Sequence, residues 1–283
     1  MPNHWILSFA CDDRAGIVHA ITGAIVACGG NITESQQFSS ADTDRFFMRL
    51  QVEADAPRED FERELAPVVE RYDMQWQLDD VGRPLRTLVL VSKAAHCLND
   101  MLFRQRAGQL TVDIPLVLSN HPDLGDLAAF YDVPFEHVPV TDAASKAAFE
   151  ARVLEVVEQH DVELVVLARY MQILSPELCA AWPNGIINIH HSFLPAFQGA
   201  RPYHQAHDRG VKIIGVTAHY ATAVLDDGPI IEQDVVRVTH RDDVEDLRRK
   251  GRDLEVTVLA RAVRAHVSHR VLVYGRRTVV FDE

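Results

Sequence analysis

Lysine is missing from the first 85 residues, which hold seven arginines against fifteen aspartates and glutamates. The whole chain of 283 residues carries a formal net charge of −13. Phosphate backbones are bound by positive surfaces, so this acidity argues against a nucleic-acid partner. No apolar run approaches the ~20 residues that span a bilayer. Met1-Pro2-Asn3-His4 does not open a signal peptide, so no membrane association is expected. Cysteine is scarce: Cys11, Cys28, Cys97 and Cys179 stand alone in apolar or helical contexts. They read as reduced, buried thiols in a cytoplasmic protein. Glycine is absent where a dinucleotide site would need it. The turn after the apolar run Thr87–Val91 is Ser92-Lys93-Ala94-Ala95-His96, where the backbone could not approach a pyrophosphate closely. No Gly-Lys-Ser/Thr phosphate loop occurs. No nucleotide-driven chemistry, and no cofactor, is expected.

What is present is ordinary for a globular chain. Hydrophobic residues make up 47% and charged residues 24%, enough to bury a full core. The length suits one large domain or two ordinary ones. Composition shifts near residue 85: acids exceed bases by eight before it and by five after it. Asp79–Pro84 collects acid, Gly and Pro and reads as a linker. The expected domains are therefore 1–85 and 86–283.

The first domain reads as a ferredoxin-like βαββαβ unit. Trp5–Ala10 is a strand. The turn Asp12–Gly16 is expected to cap a helix over Ile17–Cys28 through an Asp side chain, and Gly29-Gly30 to stop it. Strands near 32–39 and 45–52 flank a polar turn. Arg58–Tyr72 sets Phe61, Leu65, Val68 and Val69 on one helical face, and a strand over Met74–Leu78 closes the unit. The second domain alternates buried strands and helices. Strands are expected at Thr87–Val91, Ile114–Leu118, Val162–Leu167, Ile186–Ile189, Ile213–Tyr220 and Ile230–Val238. Helices are expected at Ala143–Gln159 and Val244–Val267, and a final hairpin at Val271–Tyr274 and Thr278–Phe281. The fold class is α/β, a Rossmann-like, mostly parallel sheet in which ligands sit beyond the carboxyl ends of the strands.

Gly185-Ile186-Ile187 runs into Asn188-Ile189-His190. Strand side chains alternate faces, so Asn188 and His190 point one way and Ile189 the other. Two polar groups on one face of an apolar strand end cost desolvation unless paired or used. Thirty-six residues after His190 comes Asp226, in Leu225-Asp226-Asp227-Gly228-Pro229. Asp-Asp-Gly-Pro is also a fair turn. His190, His191 and His219 with Asp226 could suggest zinc, but Asn188 beside His190 is a poor ligand, and no metal is expected. His191 reads as structural; for His219 a structural and a supporting role both stay open.

The stretches Asn188-Ile-His190-His-Ser-Phe-Leu-Pro195-Ala-Phe197-Gln-Gly199, Gly215-Val-Thr217-Ala-His219-Tyr and Leu225-Asp226-Asp-Gly228-Pro229-Ile-Ile together resemble the formyltetrahydrofolate-dependent formyltransferase family. Leu167-Ala168-Arg-Tyr-Met171-Gln172-Ile173-Leu174-Ser175 is similar to that family's folate-side segment. The likeness runs from about Thr87 to the C-terminus. In the first domain, Asp13-Arg14-Ala15-Gly16-Ile17-Val18 and Gly29-Gly30-Asn31-Ile32 resemble an ACT domain, a small amino-acid-sensing module. An ACT domain ahead of a formyltransferase domain resembles the formyltetrahydrofolate deformylases, a family that hydrolyses 10-formyltetrahydrofolate to tetrahydrofolate and formate.

The resemblance implies a catalytic trio of Asn188, His190 and Asp226, supported by His219. Asn188 and a protonated His190 would stabilise the oxyanion, and Asp226 would orient water and keep the imidazole charged. It implies a folate cleft from Met171, Gln172, Ile173 and Leu174 with Leu225 and Asp227. It implies amino-acid effectors, with glycine and methionine the candidates, near Asp13, Gly16, Ile17, Gly30, Asn31 and Ile32, in a dimer or tetramer. The formate would feed purine synthesis and balance the one-carbon pool. Glycinamide ribonucleotide formyltransferases carry a Gly/Ser/Asn phosphate-binding turn where Ser92–His96 stands. Methionyl-tRNA formyltransferases add a nucleic-acid-binding domain after the catalytic one, where this chain is expected to end. Water is therefore the expected acceptor. The alternatives are a formyltransferase acting on a small amine and a non-catalytic binding regulator.

Overall fold

A computed structural model describes residues 2–196 and 202–283; Phe197 and Gly199 of the quoted motif lie outside the described residues. The chain divides into two compact units. The first takes in residues through Arg83 together with Ser268–Tyr274 and Val279–Glu283; the second is Pro84–Val267 with Gly275–Thr278.

In the first unit the order is β1 (Asn3–Asp12), α1 (Ile17–Ala27), β2 (Asn31–Ser40), β3 (Arg45–Ala54), α2 (Arg58–Tyr72) and β4 (Gln75–Asp80). The strands form an antiparallel sheet in the order β2-β3-β1-β4, the βαββαβ arrangement expected. Apolar residues of alternate strand positions, among them Leu7, Phe9, Met48 and Leu50, meet Ile17, Ile21 and Ile25 of α1 and Phe61 and Leu65 of α2 in one core.

Three expectations for this region are corrected. Neither Asp12 nor Asp13 caps α1: Gly16 is the N-cap, at φ 95°, with no side-chain bond to the helix. The left-handed turn at Gly16 begins the helix three residues after Asp13, whose backbone N–H is engaged by the carbonyl of Asp44 (2.8 Å). The supposed linker is also partly strand. Asp79 and Asp80 belong to β4, paired with Ile6 and Trp5, and Asp79 is buried. Its carboxylate receives both Nε (2.6 Å) and Nη2 (2.5 Å) of Arg83 and lies 3.2 Å from His269 Nε2. Finally, Ser268–Tyr274 and Val279–Glu283, expected in the second domain, group with the first. Leu272, Phe281 and Val279 pack on Ala10 and Phe47, and Arg49 donates to the Ser268 carbonyl (3.1 Å). Apolar and polar matching, not sequence proximity, decides that membership.

The second unit contains β5 (Leu85–Val91), α3 (His96–Arg106), β6 (Val112–Asp113), β7 (Val117–Ser119), α4 (Gly125–Phe130), β8 (Phe135–His137), α5 (Ala143–His160), β9 (Leu164–Leu167), α6 (Pro176–Ala181), β10 (Ile186–His190), α7 (Pro202–Asp208), β11 (Ile213–Tyr220), β12 (Ile230–Arg237) and α8 (Val244–Val267). The closing hairpin is β13 (Val271–Tyr274) and β14 (Arg277–Val280). The strand expected over Ile114–Leu118 shrinks to β7, because Pro115 can give no ladder N–H. The sheet runs β12-β11-β10-β9-β5-β7-β8, with β6 beside β5. Strands β10, β9, β5, β7 and β8 are parallel to their neighbours, while β11 and β12 run antiparallel. The chain leaves β5 toward β7 and β8, then returns to β9 on the other side. That reversal opens a crevice at the carboxyl ends of β5 and β9, the place where such sheets hold ligands. Among the described residues no helix is long and apolar enough to cross a membrane.

Asp79 provides a test of the first unit. Burial alone would push its carboxyl up, but the bonds from Arg83, His269 and the Asp80 N–H outweigh it and hold it well below the usual range. Asp79→Ala should cost about 3 kcal/mol in urea unfolding at pH 7, since it strands buried partners. A depressed folded-state value stabilises above the ordinary carboxylate range and stops doing so as pH falls through the depressed value. The gap between parent and variant should therefore close only in strong acid.

Candidate active site

Strand β10 ends at the crevice, and its neighbours decide what surrounds it. The antiparallel register sets Asn188 opposite His219 and His190 opposite Thr217. Side chains facing each other across a ladder share one face, so β11 contributes His219 beside Asn188. The Asn188 Nδ2 and His219 Nε2 are 3.2 Å apart, and His219 Nδ1 is 2.9 Å from the Tyr220 carbonyl. That carbonyl only accepts, so Nδ1 carries the proton and Nε2 accepts from the amide. Burial pushes the His219 imidazole down, against opposing help from the Tyr220 carbonyl and Asp226, in keeping with a neutral ring. His219 thus orients the amide of Asn188.

Asp226 reaches the same place from the loop between β11 and β12. Tyr220 N–H donates to the Pro229 carbonyl (2.9 Å), which brings the loop back on itself. The loop can do so because residue 228 is glycine: a Cβ there would lie 1.7 Å from the Tyr220 oxygen. Asp226 adopts φ 57°, a left-handed conformation that Asp tolerates better than most residues. Its Oδ1 lies 3.0 Å from His190 Nδ1 and 4.0 Å from His219 Nε2. Burial would raise the Asp226 carboxyl; the His190 hydrogen bond and the histidines around it outweigh burial and hold it below its ordinary value. The other nitrogen of His190, Nε2, is 2.8 Å from Ser192 Oγ, which also donates to the Ala196 carbonyl (3.1 Å). Thr217 ties the segment after β10 to the sheet, donating to the Ser192 carbonyl (2.9 Å) and accepting from Leu194 N–H (3.0 Å) and Gln233 Nε2 (2.8 Å). Asn188, His190, Asp226 and His219 therefore converge.

They open on a cavity of about 280 Å³. Met171, Gln172, Ile173 and Leu174 line it, as does Leu225. Asp227, expected there too, instead pairs with Arg276. Met171 and Ile173 on one rim and Val224 and Leu225 on the other are more than half exposed. Large apolar side chains gathered at a cleft mouth suit a flat apolar ligand.

The residues expected to bind effectors do not converge within one chain. Gly16 and Ile17 begin α1, while Gly30, Asn31 and Ile32 follow its far end. Eleven helical residues separate them by roughly 16 Å. Ile17 is buried in the core, Asp13 and Asn31 are exposed, and Ile32 is half-buried.

Four residues with a place here carried little sequence signal. Ser92 Oγ accepts from the Met171 N–H (3.0 Å) and donates to Asn120 Oδ1 (2.7 Å). His96 Nε2 lies 2.6 Å from Glu255 Oε2, and the Tyr203 hydroxyl donates to Glu255 Oε1 (3.2 Å). Glu255 sits on the buried face of α8, where only its polarity among apolar neighbours marked it. His96, Cys97 and Glu255 bring ligand-type atoms within 4.8 Å of one another. Burial pushes the Cys97 thiol well above its ordinary value.

A family model described as "Formyl transferase" matches residues 85–263. The chain is 50% identical over 278 residues to the formyltetrahydrofolate deformylase of Synechocystis sp., covering 97% of each protein. It is similar to the crystal structure of a formyltetrahydrofolate deformylase from Pseudomonas syringae pv. tomato, with TM-score 0.95 and 47% identity, over 99% of this chain and 95% of that one. A glycinamide ribonucleotide transformylase from Symbiobacterium toebii matches less of it: TM-score 0.66 and 35% identity, over 73% of this chain and 98% of that one. Likeness that spans both units at such identity shows the family: the chain belongs to the formyltetrahydrofolate deformylases.

Proposed function

We propose that the chain hydrolyses 10-formyltetrahydrofolate to tetrahydrofolate and formate, with water as acceptor. The observation that carries this reading is the meeting of Asn188, His190 and Asp226, with Asp226 Oδ1 3.0 Å from His190 Nδ1, at the end of a cleft rimmed by exposed apolar side chains. The pterin lies in that cleft against Met171–Leu174 and Leu225. Asn188, its amide turned by His219, and His190 stabilise the negative charge that grows on the formyl oxygen as water attacks. Asp226, held as the carboxylate, takes the proton of the attacking water. The tetrahedral species collapses by releasing the folate amine, which takes a proton relayed from Asp226, and the second product leaves as formate.

The regulatory reading belongs to the first unit. Amino acids such as glycine and methionine are sensed there, in a homo-oligomer. The separation of Gly16 from Asn31 along α1 fits a seam to which each copy lends a different end. The formate then serves purine synthesis and the balance of one-carbon units. A cytoplasmic setting suits these substrates and the four free thiols.

Formate release from 10-formyltetrahydrofolate in water, with no amine supplied, should fall at least ~10²-fold in Asp226→Asn and in Asn188→Ala, with unchanged circular dichroism; near-parent turnover in either would remove the assigned role. Ile173→Ser and Leu225→Ser should raise KM about tenfold and spare kcat, because they remove binding shared by ground and transition states. Glycine or methionine should change turnover and the sedimentation coefficient of the full chain, and substitution of Asn31 by Ala should abolish the response. Indifference to both amino acids would end the regulatory reading.

A further inference from the structure

A second cavity, of about 390 Å³, adjoins the first. Arg169 and His191 line both, so these two side chains form the partition between them. His191 stacks on His190, ring centres 5.2 Å apart. Beyond the partition the lining turns polar and carries both signs of charge, with Arg248, Arg252, His96 and His204 beside Glu245 and Glu255.

Arg169 is the unusual member. It directly follows the turn out of β9, at φ 66°, a conformation that costs an L residue with a long side chain on the order of 1 kcal/mol and suits glycine. Its side chain is largely buried, yet Nε and Nη1 have no hydrogen-bond partner among the described residues. Glu255 Oε2, which also meets His96 at 2.6 Å, pairs with the charge from 3.4 Å at Nε without making a hydrogen bond, and Nη1 is left without a hydrogen-bond partner among the described residues. His204 Nδ1, on the same cavity, is likewise buried without a partner among the described residues. Arg248 is taken up by Glu245, whereas Arg252 is exposed. A strained position, a buried guanidinium nitrogen without a hydrogen-bond partner among the described residues and a second cationic arm describe a place for a small anion. Nε and Nη1 lie on different edges of the guanidinium, so such an anion takes Nη1 as a charge-assisted donor while Nε keeps its ion pair with Glu255. His191 is held neutral, lowered to about 4 by burial and by the charges of Arg169 and His190, so of the two side chains shared by both cavities Arg169 alone carries charge.

We propose that this cavity is a formate site: Arg169, with Arg252, draws the one-carbon carboxylate through the partition, away from the folate cleft. This rests on the hydrolytic reading above for the source of formate, but not for its binding. Product then leaves by a route that bound tetrahydrofolate does not block.

The test is line broadening of ¹³C-formate by the full-length protein, with sodium chloride at matched ionic strength as control. Formate should broaden, and the effect should survive saturation with tetrahydrofolate. Arg169→Gly, which also relieves the backbone, should weaken binding at least about tenfold, and Arg252→Ser, on the exposed rim, several-fold. Unchanged broadening in both variants, displacement by chloride at equal concentration, or loss of broadening with tetrahydrofolate would each overturn the proposal. A protein that binds formate in this way but releases none from 10-formyltetrahydrofolate would instead sink the hydrolytic reading and leave this site standing.

Discussion

The geometry of the candidate active site depends on one close approach. Backbone at residue 228 lies against the carbonyl of Tyr220 so tightly that a Cβ would sit 1.7 Å from the oxygen. Because that contact is possible, Tyr220 and Pro229 bond and the loop of Ala221–Gly228, rooted beside Ile186 at the start of β10, folds back until Asp226 reaches His190. Asp226 is thereby delivered to His190 from a strand that runs antiparallel to the rest of the sheet. Had β11 run parallel like its neighbours, a long crossover would separate the two residues. The antiparallel register also supplies His219 opposite Asn188. Amide, imidazole and carboxylate are thus held by backbone pairing, which moves little, and not by flexible side chains alone.

Two carboxylates flank the histidine pair, and their surroundings differ. Asp226 faces imidazoles in a cavity with an apolar mouth and is kept ionised by them. Glu255 is enclosed by His96, Tyr203 and Arg169, with both oxygens engaged; burial opposes its ionisation, and its partners outweigh that penalty. Gly251, one turn earlier on α8, permits this packing, since a Cβ there would strike the Tyr203 hydroxyl. The first carboxylate has room for a reacting molecule beside it. The second acts as a fixed anchor for cations, while Arg169 Nη1 is without a hydrogen-bond partner among the described residues.

Much of this was legible from local pattern. The apolar run into Asn188-Ile189-His190 marked a buried strand with a polar end, and period-two alternation put both polar groups on one face. The βαββαβ order and the parallel sheet followed from where apolar periodicity switches between strand and helix. Local reading failed where a distant contact overrides local chemistry. Asp12 and Asp13 look like helix caps, but Gly16 begins α1. Asp79 looks like linker, but Arg83 and His269 make its burial affordable. Ser268–Tyr274 and Val279–Glu283 look like the end of the second domain, but Leu272 and Phe281 find their apolar partners at Ala10 and Phe47.

The sequence by itself determined the residue types at the site, the strand that carries two of them and, through family likeness, the class of reaction. Those features rest on spacing of a few residues, within which chain geometry is rigid. Only the tertiary structure decided that His219 orients Asn188, that Asp227 turns away to Arg276, and that Arg169, His96 and Glu255 meet beside the trio. Their separation along the chain reaches 159 residues. No local rule constrains such a meeting; it follows from the order of strands in the sheet and from which helix packs behind them.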